Sequence, residues 1–265
     1  MVQVTERDLA MVEWLGVVRV AEVDSIRWAL GAMSGSAEPI STRKAQHWVM
    51  RMVQAGLVAR ERPTFQSASF VWATHEAVGK QPPNLFRQTT RHEVAVAAVS
   101  ARYLALGYTW KRDRRPVSHL DHQADGVATY GDCVELVEVE LTAKSSPRYR
   151  LICENHSMRL ARDGISQVVY FCTADADRVV TIEADRFIFR TERPRLVSTI
   201  AFDKRGHWLG SALDPRATIG PSGAGRRRGD DAINRKLEKT TSATSMAQFG
   251  TGVGVGNRTA RAGDT

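Results

Sequence analysis

Apolar side chains recur with a helical period over some stretches of this chain and with a strand period over others, and the switches between the two mark its elements. Thr5 is suited to cap a first helix, with acids in the opening turn and Leu9, Met11, Val12 and Leu15 forming a stripe that runs to Gly16. A second helix fits residues 21–30, with Val23, Ile26, Ala29 and Leu30 inward and Gly31 as its stop. Ser41 caps a third, TRKAQHWVMRMVQAG, whose inner face is Ala45, Trp48, Val49, Met52 and Val53. Residues 57–62 read as a strand, 63–67 as a turn and 68–72 as the returning strand. Three helices followed by a hairpin is the order of a winged helix-turn-helix.

The paired prolines Pro82 and Pro83 interrupt the pattern, and a different one follows. Thr90 is placed to cap a long helix with Val94, Ala97, Ala98, Ala101 and Leu104 inward, ended by Gly107. Strands are predicted over 108–111, 124–130 and 134–142, the last two joined by a Gly131-Asp132 turn. A helix over 147–162 opens with Pro147, and an apolar strand follows over 167–172. Residues 179–182 and 187–190 are read as further edge strands. The order α-β-β-β-α-β is that of restriction-endonuclease-like domains carrying a PD-(D/E)xK site. The expected fold is therefore α+β, divided into a winged-helix DNA-binding domain (1–80), a linker (81–89), a PD-(D/E)xK-nuclease-like domain (90–209) and a tail (210–265). The tail holds 10 of the 20 glycines and Phe249 as its one aromatic, too little apolar surface to offset its ordering entropy. It is expected to be disordered, with a short helix near 231–239 and an Arg226-Arg227-Arg228 run available to phosphates.

Lys and Arg outnumber Asp and Glu by 37 to 29, a net charge of +8 with a pI near 9.7, which favours a polyanionic partner. No run reaches the roughly 18 apolar residues of a membrane helix, and Glu6, Asp8 and Glu13 argue against a signal peptide, so no membrane partner and a cytoplasmic location are expected. Cys133, Cys153 and Cys172 form no CxxC pair and point to buried thiols in a reducing compartment. The third helix concentrates the positive charge. Arg43, Lys44, His47 and Arg51 lie opposite its apolar face, and residues 41–55 contain no acid. Arg43, Gln46 and His47 are expected to meet base edges of double-stranded DNA, Lys44 and Arg51 its phosphates, and Arg60 and Arg62 the backbone beside the hairpin.

The second domain offers a different chemistry. A PD-(D/E)xK site needs an Asp at the start of one strand and an acid in the next, both holding a divalent metal. Asp125 and then Glu138 and Glu140 in VEVELTAK supply these, the last two on one face because strand side chains alternate. Oxygen ligands suit Mg²⁺, and Glu93 in the preceding helix is a further ligand candidate. The catalytic candidates are Asp125, Glu138, Glu140 and Lys144. Ala124 stands where the motif has Pro, and Glu140 where it has Lys; Lys144, at the strand's end, is close enough in sequence to reach back. The opposing reading is a degenerate nuclease whose acids pair with arginines such as Arg148 or Arg150. His119 and His122 in HLDH are taken as surface loop histidines, and the missing GxxxxGK[ST] loop argues against helicase or ATPase activity.

The run Thr5-Glu6-Arg7-Asp8, His92 near the start of a helix, Ala124-Asp125 and above all EVELTAKSSPRYRLI resemble the replication-relaxation family of actinobacterial plasmids, integrated elements and phages, over roughly residues 4–190. The resemblance implies a role in the replication or DNA topology of a mobile element, with replication or mobilisation proteins as partners. It also implies a shared site at Asp125, Glu138, Glu140, Lys144, Arg148 and Tyr149. Three functions stay open: a DNA-binding protein of a mobile element, a Mg²⁺-dependent endonuclease, and a transcriptional regulator, expected to be a homodimer, whose second domain serves assembly.

Overall fold

A computed structural model of the chain describes residues 3–63, 68–118 and 121–210. The tail expected at 210–265, with its short helix and arginine run, lies outside the described residues beyond Gly210, as do the tip of the hairpin and His119. The fold is mixed α and β, with two sheets.

The first half contains α1 (Glu6–Val18), β1 (Ala21–Glu22), α2 (Val23–Ala32), α3 (Thr42–Gln54), β2 (Val58–Glu61), β3 (Phe70–Ala73) and the single turn α4 (His75–Val78). β3 lies between β1 and β2 and is antiparallel to both. In α1 the buried face is turned from the expected stripe. Leu9 is 56% exposed, whereas Asp8 is completely buried beside Met11, Val12, Trp14 and Leu15. Thr5 and Asp8 form a reciprocal capping box, and Asp8 then accepts from Trp48 Nε1 at 2.8 Å and Arg51 at 2.7 Å, tying α3 to α1. Gly31 does not end α2 but sits within it. A Cβ there would lie 2.1 Å from the Glu38 carbonyl oxygen, so this glycine admits the loop that leads to α3. Val53, expected inward, is 43% exposed; Ala45, Trp48, Val49 and Met52 form the inner face of α3.

The second half contains α5 (Gln88–Ala105), β4 (Thr109–Lys111), β5 (Gly126–Tyr130), β6 (Cys133–Glu140), α6 (Ser146–Arg162), β7 (Gln167–Thr173), α7 (Ala174–Phe187) and β8 (Leu196–Phe202). The five strands stand in sequence order, β4, β5 and β6 antiparallel and β6, β7 and β8 parallel. The edge strands expected at 179–182 and 187–190 are replaced by α7 and the later β8. The β-branched run Val179-Val180-Thr181-Ile182 imitates a strand. Helical spacing wins because Thr173 caps the first turn, Asp175 and Asp177 follow it, and Ala176, Val180 and Ala184 bury one side.

α6 and α7 cover one face of this sheet and α5 the other. α5 starts at Gln88, two residues before the expected cap at Thr90, whose hydroxyl instead donates to the Asn84 carbonyl. It is buried nearly all round. Val96, Val99 and Tyr103 meet the sheet, while Ala97, Ala101 and Ala105 belong to the same core as α1, α2 and α3. Trp14 Nε1 donates to Ser100 Oγ at 3.0 Å, and the buried Arg102 guanidinium reaches Asp24 and stacks on Trp28 and Trp208. At the start of β5, Gly126 lets the Trp110 ring lie where a Cβ would fall 2.1 Å from it, which brings the backbone beside Asp125 close to β4.

Candidate metal centre and nucleic-acid face

Alternation along β6 separates two sets of side chains. Val137 and Val139 face α5, while Leu136 packs with α6 and α7. Glu138 and Glu140 share the Leu136 parity and are only 4% and 6% exposed. Two carboxylates in such a setting require partners, and each has its own.

Glu140 pairs with Lys144, which reaches back from the strand's end, and Lys144 N donates to the Tyr149 hydroxyl at 3.2 Å. Burial pushes the Glu140 carboxyl above its ordinary value, and the Lys144 charge opposes that only in part. Burial, with Glu140 beside it, also raises the Tyr149 phenol. Asp125, just before β5, accepts from Val139 N at 2.8 Å and meets His92 Nε2 at 2.8 Å. Burial lowers the His92 imidazole, but the hydrogen bond and charge of Asp125 outweigh it and the net shift is upward. Glu93, half-buried next to His92 on α5, lies in the field of Arg112 and Arg19, and burial raises its carboxyl.

Glu138 lies between two histidines. His122 Nε2 is 2.7 Å from Glu138 Oε1, and His156 Nε2 is 3.2 Å from the same oxygen. Among the described residues this is the trio of metal-type ligands whose donor atoms all lie within 4.8 Å of one another. Burial pushes Glu138 up, but the two imidazoles prevail and hold the carboxyl well below the usual carboxylate range. His156 is completely buried, and burial lowers its basicity despite Glu138. The three side chains come from the loop before β5, from β6 and from α6.

That arrangement is braced on both sides. Asp121 accepts from His122 N at 3.0 Å, from Asn155 Nδ2 at 2.9 Å and from Arg114, fixing the loop against α6. One turn along α6 from His156, Arg159 forms a buried two-point pair with Asp113 at 2.6 and 2.9 Å, and Asp113 also accepts from Ala124 N at 2.8 Å.

The two histidines are what sequence reasoning missed. His122 was expected in a surface loop, yet its side chain is 11% exposed. His156 carried a readable signal. It continues the inward spacing of Tyr149, Ile152, Cys153 and Leu160 on α6, where an imidazole is out of place unless it has a partner. Arg148 and Arg150, the expected partners of the acids, are exposed on α6, and Arg150 pairs with Glu154 instead. An open cleft reaches Glu140, its lining including Arg87, Arg91, His92, Arg205 and His207 as well as Glu22.

On α3, Arg43, Lys44, Gln46 and His47 are exposed, and among the described residues no acid pairs with Arg43, Lys44 or His47. Arg51 differs: it is half-buried and bound to Asp8, so its charge is committed within the fold. Arg60 and Arg62 are exposed on and beside β2, Arg60 donating to Ser69 Oγ at 3.0 Å. Among the described residues no helix is long and apolar enough to cross a membrane. No protein-family model, curated protein or solved structure matches the chain, so the likeness to replication-relaxation proteins rests on the residues quoted above.

Proposed function

We propose that this chain is a cytoplasmic DNA-binding protein of a plasmid or phage, acting in replication, relaxation or its control, whose first half is a winged helix reading duplex DNA. The observation that carries this is the outer face of α3, with Arg43, Lys44, Gln46 and His47 open to solvent and no acid on the helix. A helix of this size fits the major groove, where Arg reads guanine and Gln reads adenine through paired hydrogen bonds. The mobile-element role is supported by the resemblance alone. Selection of bound duplexes from a random pool, followed by gel shifts, tests the reading. Arg43→Ala with His47→Ala is expected to erase preference for the selected sequence. Lys44→Ala is expected to weaken all duplexes alike and to flatten the salt dependence by about one unit of slope. A double variant that keeps full preference overturns the reading.

A Mg²⁺-dependent endonuclease is the second reading, favoured by Lys144 turned back onto Glu140 at the end of a strand that also holds Glu138, with a basic cleft alongside. In this reading the second half is nuclease-like, and Mg²⁺ takes Asp125, Glu138 and Glu140 by displacing His92 from the first, the two histidines from the second and Lys144 from the third. Wild type then nicks supercoiled plasmid with Mg²⁺ and Glu138→Ala does not. Equal behaviour of the two removes it.

A further inference from the structure

We infer that His122, Glu138 and His156 form a binding site for a borderline transition metal of the zinc type, distinct in ligands from an all-oxygen Mg²⁺ site. The donor set is the first argument. Two imidazoles and one carboxylate match the affinities of Zn²⁺, Co²⁺ and Ni²⁺, whereas Mg²⁺ favours oxygen and keeps its water. Three protein ligands with a further position free is also the composition of reactive rather than purely structural zinc sites.

The spacing is the second argument. Bonds of about 2.0–2.2 Å at tetrahedral angles set ligand atoms roughly 3.3–3.5 Å apart. The observed contacts to Glu138 Oε1 are 2.7 and 3.2 Å, and the three donor atoms stay within 4.8 Å. The two contacts to Glu138 are thus shorter than the coordinated spacing by less than about 1 Å.

The third argument is independent of both. His156 is 0% exposed, and neither of its ring nitrogens makes a hydrogen bond. Its Nε2 lies near Glu138 but is misaligned for donation. The Tyr170 hydroxyl, on the β7 residue paired with Glu138, is likewise buried with no hydrogen-bond partner. Buried polar atoms without partners are unfavourable and rare, and their occurrence around one carboxylate marks a place shaped for something the polypeptide does not supply. A cation between Glu138 and the imidazoles neutralises the carboxylate and engages His156 Nε2 at once. Asp121 and Asn155 hold the loop and helix that carry the two histidines, the bracing that ligand sites need.

The full-length protein, stripped with EDTA and titrated with Zn²⁺ against a chromophoric chelator, is expected to take up one ion per chain. A thousandfold excess of Mg²⁺ is not expected to displace it. His122→Asn and Glu138→Gln each weaken Zn²⁺ binding by about 100-fold or more, while His75→Ala, at an exposed position that opens α4, leaves it unchanged. X-ray absorption at the zinc edge of the wild type, which needs no variant to fold, is expected to show imidazole and oxygen neighbours and no sulfur. Absence of stoichiometric zinc, sulfur in the coordination shell, or wild-type affinity in both variants overturns the assignment. None of these results bears on DNA binding by α3, which the gel shift reads without metal.

Discussion

Asp113 and Glu138 are both buried against α6, three residues apart in their contacts along that helix, and they are treated in opposite ways. Asp113 meets Arg159 through two parallel hydrogen bonds and takes a third from Ala124 N. A guanidinium is permanently charged and its fork matches a carboxylate, so the pair is closed to any other ligand. Glu138 meets two imidazoles, of which one, His156, makes no well-formed bond. Imidazole can give up its proton and bind a cation, so this pair remains open. A buried carboxylate is thus a brace or a ligand according to the partner that reaches it.

Three measurements can break or sharpen that contrast. The largest effect is expected at the closed pair. Asp113→Ala leaves the Arg159 charge buried without its carboxylate and should cost about 3–5 kcal/mol in urea unfolding, whereas Asp113→Leu combined with Arg159→Met should lose far less. A single variant close to wild type would remove the distinction. Asp8 comes next. It too is closed, by Thr5, Trp48 and Arg51, and these bonds overcome its burial to place the folded carboxyl below 3.8. Its contribution is therefore complete above about pH 4 and is lost as the pH falls through the lower folded value. Asp8→Asn should cost about 1–3 kcal/mol at neutral pH and make the urea midpoint less sensitive to acid. The smallest effect is expected at the open site. Without metal, Glu138→Gln should stay within about 1 kcal/mol of wild type. Zinc at a hundred times its dissociation constant should then stabilise the wild type alone by about 2.7 kcal/mol.

Local chemistry made much of this legible in the sequence. Ser41 does cap α3, Gly131-Asp132 does join β5 to β6, and the period of two does put Glu138 and Glu140 on one face. The buried role of Asp8 was not legible, because an acid in a first turn reads as a cap and only α3 packing on α1 turns it inward. Nor was the gathering of His122 and His156 around Glu138. They lie 16 residues before it and 18 after it, on a loop and a helix, and no local period links such positions. α7 was hidden for the reverse reason: its β-branched residues speak for a strand, and capping with one-sided burial overrules them.

The all-round burial of α5 has a practical consequence for anyone who would dissect this protein. Expressing residues 1–80 alone would uncover the flank that Ala97, Ala101 and Ala105 close, and would leave Trp14 without the hydroxyl of Ser100. The exposed basic face of α3 therefore rests on a core that α5 helps to complete. Variants that probe that face are best made at its exposed positions, with the long alanine-rich helix kept as its foundation.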